Sequence, residues 1–278
     1  MKTLYIWIIT SIVVFFSCTE DLPYPYEGKD LNYLAVEGYF TTDTAAQTVI
    51  LTRTVRLKDT ADVFETNATV TISDGINLFN LHEEKAGYYV TDSSVYGVPG
   101  RTYTLNIITA DGKNYEAQSY LSPVSDIDSI DIIKEKFPFT NDIFYKVLFY
   151  GQEPEGEGDR YLWNVYVNDS LFNDTIAETR FEEDSWVDGA YLYDFDVYWI
   201  PEEDIRTDSV EITLEMESIT DEYYNFLLQA LMQTEWRGSP WDPIPANILT
   251  NVEGDEPAVG FFIAKAKTSI SRTFYLKK

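Results

Sequence analysis

The sequence has almost none of the residues that metal sites and nucleophilic catalysis require. Among its 278 residues there is one cysteine and one histidine. A single cysteine excludes an intramolecular disulfide and the cysteine-rich sites that hold zinc or iron–sulfur clusters. The single histidine, His82, has no neighbouring serine motif of the nucleophile-elbow type, which disfavours triad chemistry. The sequence therefore predicts a protein that is not an enzyme and that holds no cofactor.

Basic residues are also scarce. Lys and Arg number 20 against 47 Asp and Glu, which gives a formal net charge of −27. This balance argues against nucleic-acid binding, because phosphate contacts need clustered basic side chains. Apolar and aromatic residues are abundant instead, with 45% hydrophobic residues, 21 Tyr and 16 Phe. Such a composition indicates a folded core rather than a disordered chain.

The chain begins with a pattern typical of bacterial lipoproteins. Lys2 precedes an apolar run over residues 4–16, which is shorter than the ~20 residues of a membrane-spanning helix. Ser17 and Cys18 close this run. We predict a signal peptide over residues 1–17 and a lipid anchor on Cys18, which becomes the first residue of the mature chain. The alternative is a plain signal peptide with an incidental cysteine.

Residues 18–32 form a predicted extended tether, because they contain two prolines and show no hydrophobic periodicity. Glu20 and Asp21, just behind the lipidated cysteine, resemble the surface-export signal of Bacteroidota-type lipoproteins. Together with the lipid-attachment site, they favour the outer membrane as the location, with the protein facing the cell exterior.

Short strands dominate the rest of the chain and predict a mainly β fold. Residues 33–123 contain six or seven short β-branched runs at ~10–15-residue spacing without a helical period, which indicates an immunoglobulin-like β-sandwich. Residues 124–278 are predicted to form a second β-rich domain. This domain carries one α-helix over about residues 220–234, for which Thr220 is the expected N-cap.

Nine short segments carry a resemblance to a known family. In chain order they are Val36–Thr41, Val49–Thr54, Ala68–Asp74, Gly87–Tyr89, Gly100–Leu105, Asp111–Tyr115, Ile127–Ile130, Pro245–Ile248 and Gly260–Phe262. In this order behind a lipid-attachment site, they resemble the Bacteroidota surface lipoproteins catalogued as domain of unknown function 4249. The resemblance covers almost the whole mature chain. It implies a surface lipoprotein, often encoded beside a TonB-dependent receptor, that is accessory to transport or surface assembly.

Acidic residues cluster in two segments that could bind a cation. Residues 153–159 alternate Glu and Asp with Pro and Gly, but the spacing of a calcium loop is missing, so we interpret them as a solvated loop. Four further aspartates are candidate calcium ligands near Trp186, although surface charge is the favoured interpretation: Asp184, Asp188, Asp194 and Asp196. No metal site is therefore predicted.

Aromatic residues are the better indication of a binding surface. Strict alternation puts Tyr191, Tyr193 and Phe195 on one face of a strand, and Tyr198 on the other. One face has to fill the core, whereas the other could stack on a sugar or a peptide, or pack against a partner. Core packing alone is the competing explanation. The candidate binding residues are Trp186, Tyr191, Tyr193, Phe195, Trp236 and Trp241.

These patterns favour a non-enzymatic, lipid-anchored protein of the outer-membrane surface. We expect it to act as a binding accessory of a TonB-dependent receptor, in nutrient uptake or surface assembly, with a small glycan or peptide as a candidate ligand. The alternative, from another functional class, is an adhesin or structural interaction module at the cell surface.

Overall fold

Most of the described elements are β-strands, in which apolar and polar side chains alternate between the two faces. The computed structural model describes residues 32–55, 61–137, 140, 142–205, 207–236 and 248–276. Within these ranges the strands are β1 (Leu34–Thr41), β2 (Thr48–Arg53), β3 (Val63–Phe64), β4 (Thr69–Ser73), β5 (Leu78–Lys85), β6 (Tyr88–Val90), β7 (Thr102–Ile108), β8 (Asn114–Tyr120), β9 (Ser129–Lys136), β10 (Ile143–Gln152), β11 (Arg160–Val167), β12 (Ser170–Leu171), β13 (Arg180–Glu183), β14 (Tyr191–Pro201), β15 (Ser209–Ser218), β16 (Val252–Gly254), β17 (Ala258–Lys265) and β18 (Lys267–Tyr275).

One α-helix, α1 (Asp221–Glu235), and a short 3-10 turn (Glu202–Asp204) complete the described elements. Thr220 is the N-cap of α1, since its side chain accepts a hydrogen bond from the backbone N–H of Tyr223. The prediction of a mainly β chain with one helix is confirmed. No helix among the described residues has the length and apolar character that crossing a membrane requires.

The first sheet has ten strands in the order β16-β8-β7-β4-β5-β6-β2-β1-β17, with β3 paired to β2. Its two ends approach each other, because the backbone N–H of Ala264 in β17 donates to Ser119 Oγ in β8 (2.9 Å). Between the layers lies a core that includes Phe40, Leu51 and Tyr103. Two of the ten strands, β16 and β17, come from the last tenth of the chain. Residues 33–123 therefore do not build this sheet alone.

The second part of the protein packs two smaller sheets face to face. One has the order β14-β10-β9, and the other has the order β12-β11-β15-β18 with β13 also paired to β11. The core between them is rich in β-branched and aromatic residues and includes Val147, Phe149, Trp163, Val165 and Ile212. The predicted domain boundary at residues 123 and 124 falls between β8 and β9, although β16 and β17 of the first sheet lie beyond it, and it stays a prediction.

The segment from β17 to β18 joins the two parts. β17 runs parallel to β1 in the first sheet, whereas β18, only one residue later, pairs with β15 in the second part. At the junction, Lys265 Nζ lies 2.5 Å from Glu217 Oε2, and both side chains are buried. Lys267 Nζ also lies 3.7 Å from Glu217, and a buried charge that loses its partner is costly, so this group of charges links β17 and β18 to β15.

Gly260 marks the closest approach between β17 and β1. Its φ is +88°, and a Cβ atom there would lie 2.0 Å from the carbonyl oxygen of Val36. A side chain would therefore meet both left-handed backbone strain and a clash with the backbone of the paired strand.

We expect Gly260→Ala to destabilise the protein by about 3–5 kcal/mol, the range of changes that force the backbone apart. Gly112→Ala is the matched control, because Gly112 has φ +84° and no atom within 4 Å of the added Cβ. That control should lose only about 1–2 kcal/mol from backbone strain. Urea unfolding of both variants measures the difference, and equal losses would refute the close approach.

Candidate functional site

The candidate site is a cavity of about 140 Å³ between the two smaller sheets. It lies beside the loop of residues 184–190, which we call the crossing loop because it connects β13 in one sheet to β14 in the other. Five aromatic side chains line the cavity, which we call the aromatic cavity: Phe149, Tyr161, Trp163, Trp186 and Phe195. Pockets that are mainly apolar with a few polar groups are the usual form of ligand sites.

Strand alternation places the inner rings of the aromatic cavity. Trp163 points from β11 into the space between the sheets, as does Phe149 from β10, and their ring centroids are 5.0 Å apart. Trp163 is only 2% exposed, and its indole Nε1 has no hydrogen-bond partner in the described structure. A buried N–H without an acceptor costs about 1–3 kcal/mol. Trp163 therefore contributes its ring to the cavity wall at the cost of a buried N–H that solvent does not reach.

Trp186 has the opposite environment. Its side chain lines the aromatic cavity from the crossing loop, yet the residue is 94% exposed to solvent. A large aromatic ring gains nothing for folding from such a position, since it buries almost no apolar surface. An exposed ring beside an apolar cavity is instead a typical contact residue for a ligand or a partner.

Glu153 also lines the aromatic cavity and is 4% exposed. Its Oε2 accepts a hydrogen bond from the backbone N–H of Gly189 (2.6 Å), and its Oε1 accepts one from the Tyr161 hydroxyl (3.0 Å). Burial raises the pKa of Glu153 above its ordinary value, and the nearby charges of Asp159 and Asp184 add to the rise. The interpretation of residues 153–159 as a solvated loop is therefore wrong for Glu153.

Asp184 and Asp188 fix the crossing loop to the loop of residues 153–159. Both carboxylate oxygens of Asp184 accept from the backbone N–H of Gly158 (3.1 and 2.9 Å), and Asp188 Oδ1 accepts from Gly156 (2.7 Å). Carboxylate oxygens of Glu153, Asp184 and Asp188 lie within 4.8 Å of one another. These hydrogen bonds explain why the three carboxylates lie close together, because each of them binds a backbone N–H group of the opposite loop.

The family described as Domain of unknown function (DUF4249) matches residues 19–271, which is most of the chain. The chain belongs to the DUF4249 family. No curated protein matches it.

The DUF4249 chain brings three of the predicted aromatic residues to the region of the crossing loop. Trp186 and Phe195 line the aromatic cavity, Phe195 as a half-buried part of its wall. Tyr191 follows the crossing loop directly, and its ring centroid lies 4.5 Å from that of the exposed Tyr193. Trp236, 50% exposed, is the C-cap residue of α1 and is not among the cavity's lining residues. Trp241 lies outside the described residues.

Strict alternation along β14 is wrong for this DUF4249 chain. Phe195 and Tyr198 both pack against the second core, whereas Tyr191 and Tyr193 remain exposed. The cause is an irregularity at Asp194, which has φ +48°, together with register shifts in the pairing of β14 with β10. An extra residue in one strand shifts the facing of the residues that follow it.

The four candidate calcium ligands do not form one group. Asp184 and Asp188 meet Glu153, as described above, but Asp194 and Asp196 do not take part in that cluster. Asp196 instead accepts a hydrogen bond from the indole Nε1 of Trp199 (2.7 Å) and lies 3.4 Å from Lys146 Nζ. Its carboxylate therefore has a structural role in β14.

Sequence reasoning did not assign site roles to Phe149, Tyr161 and Glu153. The alternation in β10 and β11 could have predicted that Phe149 and Tyr161 point inward. The partner of Glu153, the N–H of Gly189, lies 36 residues away on another loop. No local pattern predicts such a contact.

Glu153 makes the stability of the protein depend on pH. Its pKa is raised in the folded state, so the folded protein binds a proton more tightly than the unfolded chain. Its contribution is fully present below the ordinary pKa of 4.5 and is lost as the pH rises through the raised value.

We expect Glu153→Gln to lose less stability than the wild type when the pH rises from 4.5 to 8, as measured by urea unfolding at several pH values. Burial and the charge of Asp184 also raise the pKa of Asp159. The Glu153→Gln variant should therefore still lose some stability as the pH rises. Glu155→Gln, an exposed position on the same loop, is the control and should behave like the wild type. A full wild-type fall in Glu153→Gln would contradict the assignment.

Proposed function

We propose that this protein is a lipid-anchored binding protein of the outer-membrane surface that holds a ligand at the aromatic cavity as an accessory of a TonB-dependent receptor. The observation that carries the proposal is the pairing of an almost fully exposed Trp186 with an apolar cavity beside it. Burying that ring against a ligand removes apolar surface from water, which favours association.

The polar groups of the site support binding rather than catalysis. Glu153 and Tyr161 hydrogen bond to each other, and Glu153 also accepts from the backbone of Gly189. Asp184 and Asp188 are likewise engaged with backbone N–H groups. These groups hold the two loops in place, which preorganises the cavity and lowers the cost of ordering it on binding.

The beginning of the sequence supports the anchor and the location. Cys18 and the apolar run before it lie outside the described residues. The predicted tether over residues 18–32 would let the folded part stand clear of the membrane surface. In this proposal, the first part, which combines the predicted immunoglobulin-like unit over residues 33–123 with β16 and β17, serves as a spacer and docking unit, and the second part meets the ligand or the receptor.

We expect the lipidated protein, extracted from its native outer membrane in mild detergent, to bring down a TonB-dependent receptor in stoichiometric amount, as identified by mass spectrometry. Cys18→Ala is the control, because the loss of the lipid anchor should release the protein from the membrane and reduce the yield of receptor.

A protein recovered without a receptor would contradict the accessory role. If that partnerless protein also adhered to matrix or polymer surfaces, the adhesin would become the better reading.

A further inference from the structure

We propose that the cleft between β13 and β14 binds an extended, positively charged peptide segment as an added β-strand, with a basic side chain beside the aromatic cavity. This inference rests on the proposed binding function and specifies its ligand. We call the space between these two strands the strand cleft.

Both walls of the strand cleft are open strand edges. β13 pairs with β11, and β14 pairs with β10, but neither strand pairs with a second neighbour in the described parts of the chain. An unpaired edge presents a row of backbone N–H and C=O groups, which is the surface on which an extended peptide adds as a strand. Two such edges, one in each sheet, border the same cleft.

The strand cleft is long enough for several residues of extended chain. Near the crossing loop, the aromatic cavity is bordered by Glu182 of β13 and by Leu192 and Phe195 of β14. Farther along, residues 177–180 and 196–199 border a second hollow of about 460 Å³. The four residues of β13 alone span about 13 Å at the rise of a β-strand, so a peptide of four to five residues fits alongside.

The charge of the strand cleft favours a basic peptide. Glu153, Glu182 and Glu183 border the aromatic cavity, and Glu178 and Asp196 border the second hollow. Three of these carboxylates already face a cation, because Glu182 is paired with Arg180 (2.6 Å), Glu183 with Arg160 (3.2 Å) and Asp196 with Lys146 (3.4 Å). The five carboxyl groups still outnumber the three cations, so the border of the strand cleft carries more acidic than basic side chains. Carboxylates beside aromatic rings suit a Lys or Arg side chain, which gains from both the charge and the ring face.

The inner wall supplies apolar contacts for a peptide. The rings of Phe149, Trp163 and Phe195 line the aromatic cavity and can pack against an apolar side chain. A sugar could also stack on the rings, but it would leave both strand edges unused, so the strand cleft fits a peptide better.

The test uses the full mature chain in nonionic detergent and a fluorescein-labelled heptapeptide of alternating Lys and Val, with binding followed by fluorescence anisotropy. A second peptide has the same side chains but N-methyl groups on alternate backbone amides, so it keeps the charge and cannot form a full strand ladder. We expect it to bind at least about tenfold more weakly. The same peptide with Glu in place of Lys should not bind.

Two pairs of variants locate the binding. Glu182→Gln should weaken binding of the Lys–Val peptide about fivefold, because one partly exposed charge pair is lost. Glu84→Gln changes an exposed position on β5 and should leave binding of this peptide unchanged. Trp186→Ala should weaken binding, whereas Trp236→Ala should not. Circular dichroism confirms that each variant is folded.

The added-strand proposal would be overturned if the methylated and unmethylated peptides bound equally well. It would also be overturned if the Glu182→Gln variant bound the Lys–Val peptide as tightly as the wild type. Binding of maltoheptaose that Trp186→Ala abolishes, without peptide binding, would overturn the peptide but leave the binding function standing. If neither probe binds, the peptide proposal is overturned, and receptor recovery in the pull-down decides the binding function separately.

Discussion

The structure depends on one stretch of chain that belongs to two sheets. β17 completes the first sheet beside β1, and β18 continues at once into the second part beside β15. The buried pair of Lys265 and Glu217 lies at this junction, and Lys267 Nζ approaches the same carboxylate at 3.7 Å, so the loss of Glu217 would leave the buried Lys265 charge without this partner. Because the same few residues close both cores, we expect the two parts to keep a fixed geometry at this junction.

The candidate site follows from how the second part is closed. The crossing loop connects β13 in one sheet to β14 in the other, and each of these strands has one edge without a strand partner among the described residues. The carboxylates of Glu153, Asp184 and Asp188 hold that loop in place through backbone N–H groups. Rigid loops therefore support an exposed tryptophan over an apolar hollow, an arrangement that contributes to binding more than to stability.

Local patterns predicted local structure well. The strand content, the single helix and the cap at Thr220 follow from alternation, periodicity and side-chain hydrogen bonding within a few residues. The parallel pairing of β17 with β1 joins residues more than 220 positions apart, and no periodicity specifies such a partner. The irregularity at Asp194 reversed the expected facing of β14, because alternation assumes a strand without an extra residue. Trp186 could be predicted as a candidate by its residue type, but its cavity could not.

In the proposed function, the protein meets its ligand or partner beside the crossing loop of the second part. Photo-crosslinking in intact cells tests this contact, with a photoreactive phenylalanine analogue in place of Trp186 and, in a separate strain, in place of Glu84 on β5. We expect a defined covalent adduct from position 186 and none from position 84. An adduct from position 84 alone would refute binding beside the crossing loop and would move the binding surface to the first sheet.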